Sequence, residues 1–252
     1  VLKFLQRREK APPSPKGEGP AGETLYAIGD IHGCRGELEQ LLNRITDEIS
    51  SSNATAHLIF LGDYVDRGPD SAGVLNRLID GPLPGSRQTF LMGNHEEAML
   101  AALDGDLESL PGWLRYGGAE TLESYGIGRA DILRAGADLP RMMREAVSEA
   151  HLEFLRGCHD YAQAGDYLFV HAGIRPGVPL SKQDPSDLRW IRDGFLEDEH
   201  TDHGVLVVHG HTIAEEPQLR SNRIGVDTGC YRSGRLTALV VEGSHRRFLS
   251  TR

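Results

Sequence analysis

Short apolar runs recur along the chain at Thr24–Ile28, His57–Leu61, Thr89–Met92, Tyr167–Val170, Val205–Val208, Ile224–Val226 and Leu236–Val241. Each is too short for a helix, and most end at Gly or Asp, so the pattern predicts strands. Between the first three, Gly36–Ile49 and Ser71–Ile79 carry apolar residues at helical spacing, which predicts a β-α-β-α-β order. After Tyr167 the connections shorten. That change favours an α/β sandwich of two mixed β-sheets packed together and flanked by helices over a single doubly wound sheet. From Glu97 to about Asp160 the pattern turns helical again, with turn residues at Pro111-Gly112 and Gly117-Gly118. This helical insertion, about 97–160, is expected over the mouth of any site at the strand ends, as a packing element or as a substrate-selecting cap.

Composition narrows the picture in three ways. A chain of 252 residues with 39% hydrophobic content is long enough to bury a sizeable core, and residues 23–252 are read as one catalytic domain. Residues 1–20 hold five Lys or Arg, two Glu and four Pro, a net of +3 that leaves −13 of the formal −10 for the remainder. Such a segment buries too little to offset its ordering, so 1–22 is expected to be a disordered tail. An acidic body argues against nucleic-acid binding, which depends on basic side chains neutralising phosphates. No apolar run reaches the 18 residues of a bilayer span, so a cytoplasmic protein without stable membrane association is expected. The three cysteines, Cys34, Cys158 and Cys230, are odd in number and lack C-x-x-C spacing. They read as small core thiols in a reducing compartment.

Candidate chemistry sits just past the strand ends. Gly29-Asp30-Ile31-His32-Gly33, Gly62-Asp63-Tyr64-Val65-Asp66-Arg67-Gly68, Gly93-Asn94-His95-Glu96, His171-Ala172-Gly173 and Gly210-His211-Thr212 each follow an apolar run. Asp30, Asp63 and Asn94 lie 33 and 31 positions apart, about one strand-helix-strand unit, so successive strands deliver them to one sheet edge. Carboxylates, a carbonyl and neutral imidazoles in one place suit a pair of divalent cations with positions left for water and substrate. Asp63 is placed to bridge such a pair. Arg67 and Arg192 are the guanidinium forks expected on phosphate, with Arg189 a rival for the second role. His209 reads as a residue flanking His211. The remaining histidines read as structural or exposed.

In this order the motifs resemble those of the calcineurin-like metallophosphoesterases, and within them the bacterial and phage phosphoprotein phosphatases. The resemblance runs from residue 24 to about 242. It implies Asp30, His32 and Asp63 on one metal and Asp63, Asn94, His171 and His211 on the other, with Mn²⁺, Fe or Zn²⁺ as the pair. It further implies His95 as general acid for the leaving oxygen and Asp66 as the group orienting it, with Arg67, Asn94 and Arg192 on the substrate phosphate. The implied reaction is in-line attack of hydroxide on phosphorus without a covalent enzyme intermediate. One departure from wider relatives is Ile213, where a second histidine often follows the last motif.

The preferred reading is a serine/threonine protein phosphatase acting on a phosphoprotein or phosphopeptide, with no obligate protein partner. Symmetrical diadenosine tetraphosphate hydrolases share most of these motifs and the look of Asp227-Thr228-Gly229-Cys230. They differ at the places of Asp66 and Glu96, which favours the phosphatase. A reading from another class is a non-catalytic phosphopeptide-binding scaffold. Removing metal with a strong chelator is expected to abolish phosphate ester hydrolysis, and Mn²⁺ to restore it. Full activity after metal loss, verified by elemental analysis, would exclude the metal-dependent mechanism.

Overall fold

A computed structural model describes residues 17–50 and 54–252. The strands alternate between two environments. In β1 (Glu23–Ile28), Leu25 and Ala27 enter one apolar layer while Tyr26 and Ile28 enter another. The same period of two divides β2 (Thr55–Phe60) and places Ile59 on the side opposite Leu58 and Phe60. β1 and β2 are therefore apolar on both faces, which requires a cover on each.

One cover is helical. α1 (Arg35–Ile49) buries Leu38, Leu41, Leu42 and Ile45, a one-sided stripe at helical spacing. α2 (Ser71–Ile79) starts where the Asp70 side chain accepts the Gly73 N–H at 2.9 Å, an N-cap worth about 1 kcal/mol. β3 (Arg87–Phe90) then leads into α3 (Asn94–Asp104), which stops at Gly105 with φ of 100°. The insertion continues through α4 (Leu110–Trp113), α5 (Ala119–Ser124), α6 (Arg129–Ala135), α7 (Leu139–Ala146) and α8 (Glu149–Arg156). Leu110, Trp113, Leu122, Leu139, Met143 and Leu155 share one cluster with Leu58 and Phe60. The insertion is thus part of the main core.

The other cover is the second sheet. β4 (Tyr161–Ala164), β5 (Tyr167–Val170), β6 (Leu206–His209), β7 (Gln218–Leu219) and β8 (Arg223–Gly225) form it in the order β4-β5-β6-β8-β7. The outer face of this sheet, Leu168, Val170 and Val207, is closed by Phe195 and by Leu188 of α9 (Pro185–Trp190). After α10 (Cys230–Ser233), the chain returns as β9 (Thr237–Glu242) and β10 (His245–Ser250), giving the first sheet the order β10-β9-β1-β2-β3. β1, β2 and β3 run parallel, and β9 is antiparallel to β1. Between the sheets lie Leu25, Ile59, Leu61, Leu239 and Val241 from one side and Tyr167, Phe169, Val208 and Ile224 from the other. Each such side chain contributes about 1.5–3 kcal/mol when fully buried.

The predicted sandwich of two mixed sheets is the observed fold. Strand boundaries move by one or two residues, and β4, β7 and β10 were not anticipated. β10 carries His245, Arg246 and Arg247 and lies at the sheet edge, where a polar strand needs no alternating pattern. The expected tail needs correction. Most of it, residues 1–16, lies outside the described residues, but 17–22 is tied to the body. Asp166 Oδ2 accepts the Glu18 N–H at 3.0 Å, the Gly19 N–H bonds Gly243 O at 2.8 Å, and Tyr167 Oη donates to Gly17 O at 3.2 Å. The backbone groups of Gly17–Gly19 pair with both sheets, a contact that composition does not encode. Truncation to residue 20 is expected to cost about 1–3 kcal/mol more than truncation to residue 17, from the lost hydrogen bonds. That is a Tm lower by roughly 2–4 °C per kcal/mol; equal melting temperatures would show the contact to be incidental.

Candidate metal centre

The loops leaving the carboxy-terminal ends of β1, β2, β3, β5, β6 and β8 meet at one place where the two sheets join. The turn after β1 hangs on the turn after β2: the N–H groups of Ile31 and His32 both bond Asp63 O, at 3.0 and 2.8 Å, and Gly33 N–H bonds Tyr64 O at 2.8 Å. Within the second sheet, the Gly210 N–H bonds His171 O at 2.8 Å and the Val226 N–H bonds His209 O at 2.9 Å. Among the described residues, the non-glycine positions with positive φ are His32, Asp63, Asp66, Arg67 and His211, at 46° to 73°. All five were predicted site residues. A left-handed backbone at each costs of order 1 kcal/mol or more and is held only by surroundings that over-determine it.

Glu96 supplies much of that hold. Its Oε2 accepts the N–H groups of Asp63 at 2.8 Å and Gly93 at 3.0 Å, and its Oε1 those of Tyr64 at 2.7 Å and Val65 at 3.2 Å. One buried carboxylate thereby fixes the Asp63 turn to the start of α3. Burial and the nearby charge of Asp63 push its carboxyl up to about 8, against the pull of these N–H bonds. Gly93 is required between them, because a Cβ there would strike Asp63 and, at 2.6 Å, Glu96 Oε2.

Two ligand clusters result, each with its members' ligand atoms within 4.8 Å of one another: His32–Asp63–His95 and Asp63–His171–His211. Asp63 belongs to both, the position expected of a bridge, with His32 Nε2 at 3.4 Å from Oδ2 and His171 Nε2 at 3.3 Å from Oδ1. The Nδ1 atoms of His32 and His171 face the carbonyls of Val65 and Leu61 at 2.8 and 2.7 Å. A neutral ring keeps its proton on Nδ1 there, so the Nε2 lone pair points into the site. Asn94 Oδ1 faces His171 Nε2 at 3.0 Å and His211 Nδ1 at 2.9 Å, while His211 Nε2 is buried without a partner. Burial lowers His32 to about 3 and His211 to about 2, and also lowers His171. Asp63 is lowered too, because the surrounding imidazoles outweigh its burial. Lone pairs of neutral rings converging on carboxylate and amide oxygens repel one another unless a cation lies between them, so the residues fit a dinuclear metal site.

Asp30, expected on the first metal, lies buried beside Asp63 and Asp227. It joins neither cluster among the described residues; both its oxygens accept the His211 N–H, at 3.0 and 3.2 Å. Burial and the neighbouring Asp227 and Asp63 raise its carboxyl well above the usual range. Asp227, itself buried, is raised to about 6, chiefly by burial. Asp227 is a site residue that the motif reading did not select, although it follows β8 as Asp30 follows β1. Three buried carboxylates in one place strengthen the case for divalent cations.

Behind the clusters, His95 Nδ1 bonds Asp66 Oδ2 at 2.6 Å. Asp66 also accepts Trp113 Nε1–H at 2.9 Å and Thr121 Oγ1–H at 2.6 Å, both from the insertion. Burial disfavours a charged His95, but Asp63 and Asp66 outweigh it and the imidazole is raised. A protonated ring donates Nδ1–H to Asp66 and holds a proton on Nε2, which faces the site at 3.9 Å from Asp63 Oδ2. Trp113 and Thr121 lie far from any motif, and nothing in their local sequence marks them.

Arg67 NH1 donates to His32 Nε2 at 2.6 Å, and its guanidinium lies 5.1 Å from the centre of the Tyr231 ring. Its backbone N–H reaches Gly117 O at 3.3 Å. Gly117 has φ of 120° within the π-helical turn Leu114–Gly118, and a Cβ there would meet Arg67 N at 2.5 Å. Arg192 reaches His211 O at 3.3 Å through NH2. Arg189 points elsewhere, paired with Glu97 at 2.5 Å and with Asp160, so it is a tie between α9 and the insertion. His209 packs on Phe195, with ring centres 5.2 Å apart, and lies in neither cluster.

The family model described as calcineurin-like phosphoesterase matches residues 24–231. The chain belongs to the calcineurin-like phosphoesterases. Among curated relatives, the asymmetrical bis(5′-nucleosyl)-tetraphosphatase PrpE of Oceanobacillus iheyensis is 24% identical over 84% of this chain and 86% of its own. The symmetrical bis(5′-nucleosyl)-tetraphosphatase of Nitrosospira multiformis is 25% identical over 86% of this chain and 92% of its own. Among solved structures, a candidate diadenosine tetraphosphatase superposes with a TM-score of 0.62 at 22% identity, covering 93% of this chain and 98% of its own. A cold-active protein tyrosine phosphatase gives 0.60 at 20% identity, covering 92% and 81%. At these identities the structural matches establish the shared fold.

In this calcineurin-like phosphoesterase, Glu96→Gln turns an amide toward one pair of backbone N–H donors. Each orphaned donor costs about 1–3 kcal/mol, so chemical denaturation is expected to show a loss of roughly 2–6 kcal/mol together with weaker metal retention. An unchanged midpoint would show that Glu96 does not organise the Asp63 turn.

Proposed function

We propose that this calcineurin-like phosphoesterase is a dinuclear metal hydrolase of bis(5′-nucleosyl) tetraphosphates, with Mn²⁺ the readiest metal and Fe or Zn²⁺ alternatives. The observation that carries the reading is the alignment with tetraphosphatases of both cleavage modes over more than four-fifths of this chain. This differs from the phosphatase preference drawn from Asp66 and Glu96. The surroundings of the site support it as well. The half-exposed Tyr231 ring lies 5.4 Å from the His32 ring and beneath Arg67. Tyr116, beside Gly117, and Trp190, bonded to Glu97, are exposed nearby in sequence to site residues. Aromatic faces of this kind accept nucleobases at about 1–3 kcal/mol each.

Asp30, His32, Asp63, Asn94, His171 and His211 would hold the two metals, which would supply water activation and charge to offset the phosphates. Arg67, held at His32, and Arg192, held at His211, orient the phosphate chain. Asp66 holds the His95 ring with its Nε2–H toward the reacting group. The departing nucleoside phosphate is already a stable anion, so proton donation is worth little in this reaction.

A second reading, a serine/threonine protein phosphatase, is favoured by the 2.6 Å Asp66–His95 contact. A serine alkoxide needs a proton as it leaves, and general-acid help is worth roughly 10²–10⁴-fold. The metal-loaded protein is to be assayed on diadenosine tetraphosphate and on a phosphoserine peptide, as wild type and as His95→Asn. The tetraphosphatase reading expects higher kcat/KM on the dinucleotide and a small effect of His95→Asn upon it. Two ADP would report symmetrical cleavage, ATP with AMP asymmetrical cleavage. Faster phosphopeptide turnover, lost much more than dinucleotide turnover in His95→Asn, would replace it with the phosphatase reading.

A further inference from the structure

Cys34 and Cys230 are separated by nearly the whole catalytic chain, yet their sulfurs lie within 4.8 Å of each other and of a Glu37 carboxylate oxygen. Cys34 caps α1 two residues after His32, and Cys230 opens α10 three residues after Asp227 and immediately before Tyr231. The Cys34 thiol donates to His32 O at 3.4 Å. The two sulfurs therefore join the first-sheet wall of the metal centre to the wall contributed after β8. Cys34 is 6% exposed and Cys230 2%, and both belong to the apolar cluster that includes Ile31, Leu38 and Leu236.

We propose that Cys34 and Cys230 form a reversible disulfide, a redox modification site set into the wall of the metal centre. A disulfide is neutral and suits the apolar surroundings. A divalent cation on the same three groups would bury two thiolates and a carboxylate, an excess of negative charge beside Asp227. With a peroxide as oxidant, Cys34 passes its thiol proton to Glu37 while its sulfur attacks the O–O bond, giving a sulfenic acid and expelling hydroxide, which takes up the proton as water. The Cys230 sulfur then displaces the sulfenic hydroxyl, which leaves with the Cys230 proton as a second water as the S–S bond forms. The two thiols lose two electrons and the peroxide gains them. Closing the sulfurs to about 2.05 Å draws the His32 turn and the Tyr231 turn together. His32 already sits at a φ of 46° and has little freedom to follow without moving its ring.

The test uses the full, metal-loaded chain treated with hydrogen peroxide and, separately, with oxidised glutathione. Non-reducing peptide mapping is expected to find Cys34 linked to Cys230, with Cys158, which donates to Phe154 O at 3.5 Å, still free. Turnover should fall roughly tenfold or more, since a displacement of about 1 Å near the chemistry can cost 10²-fold, and dithiothreitol should restore it. The ratio of treated to untreated activity should stay near one in Cys34→Ser and in Cys230→Ser. Three free thiols after treatment in folded wild type would overturn the proposal, and this needs no variant to fold. A linked peptide without change in turnover, or an equal loss in Cys34→Ser, would remove control of the site. A third metal per chain that disappears in Cys230→Ser would replace the disulfide with a cation site.

Discussion

Buried negative charge is the constraint on which the rest of this molecule depends. Asp30, Asp63 and Asp227 are all buried at the join of the two sheets, and each carboxylate there costs several kcal/mol unless something positive faces it. Three imidazoles kept neutral by burial, His32, His171 and His211, the Asn94 oxygen and the Arg67 guanidinium surround them. The protein supplies the Arg67 and Arg192 forks and a protonated His95, and leaves the remaining balance to cations. This explains why the rings have protonation suppressed by burial: a neutral imidazole can give its lone pair, whereas a charged one cannot.

Holding such a cluster requires unfavourable backbone geometry, and the structure gathers it in one place. The five left-handed non-glycine residues, the π-helical turn against Arg67 and the multiply bonded Glu96 all lie around the same site. Elsewhere among the described residues the elements are conventional: alternating strands, one-sided helices and side-chain caps. Local strain is stabilised by the core beneath, in which the two sheets bury Leu, Ile, Val and aromatic side chains against each other.

The parts of the fold that were legible in the sequence are those with local causes. Strands buried on both faces read as apolar runs, and the motif residues read clearly because each follows such a run directly. α2 was predicted with its observed ends from its apolar spacing, and the Asp70 cap fixes the same start. What escaped the reading depends on distant partners. Trp113 and Thr121 reach Asp66 from helices about 50 positions away, and Arg189 is drawn from the site by Glu97 and Asp160. Gly17–Gly19 look like linker until Tyr167 and Gly243 meet them. The partners of Asp30, the His211 N–H and Asp227, come from loops nearly two hundred positions away. Glu96 served as a family marker before its four N–H contacts showed what the carboxylate holds.

The position of β9 bears on how the protein is made. β1 is an interior strand, yet one of its neighbours is β9, which begins at Thr237. During synthesis from the amino terminus, Thr24–Ile28 leaves the ribosome more than two hundred residues before the strand that completes its pairing. Throughout that interval one edge of β1 offers unpaired backbone groups and apolar side chains to any extended chain nearby. The catalytic half-site from the first three strands is therefore translated early but gains its closing strand last. A chaperone that covers nascent apolar strands has its clearest task on this protein at that edge.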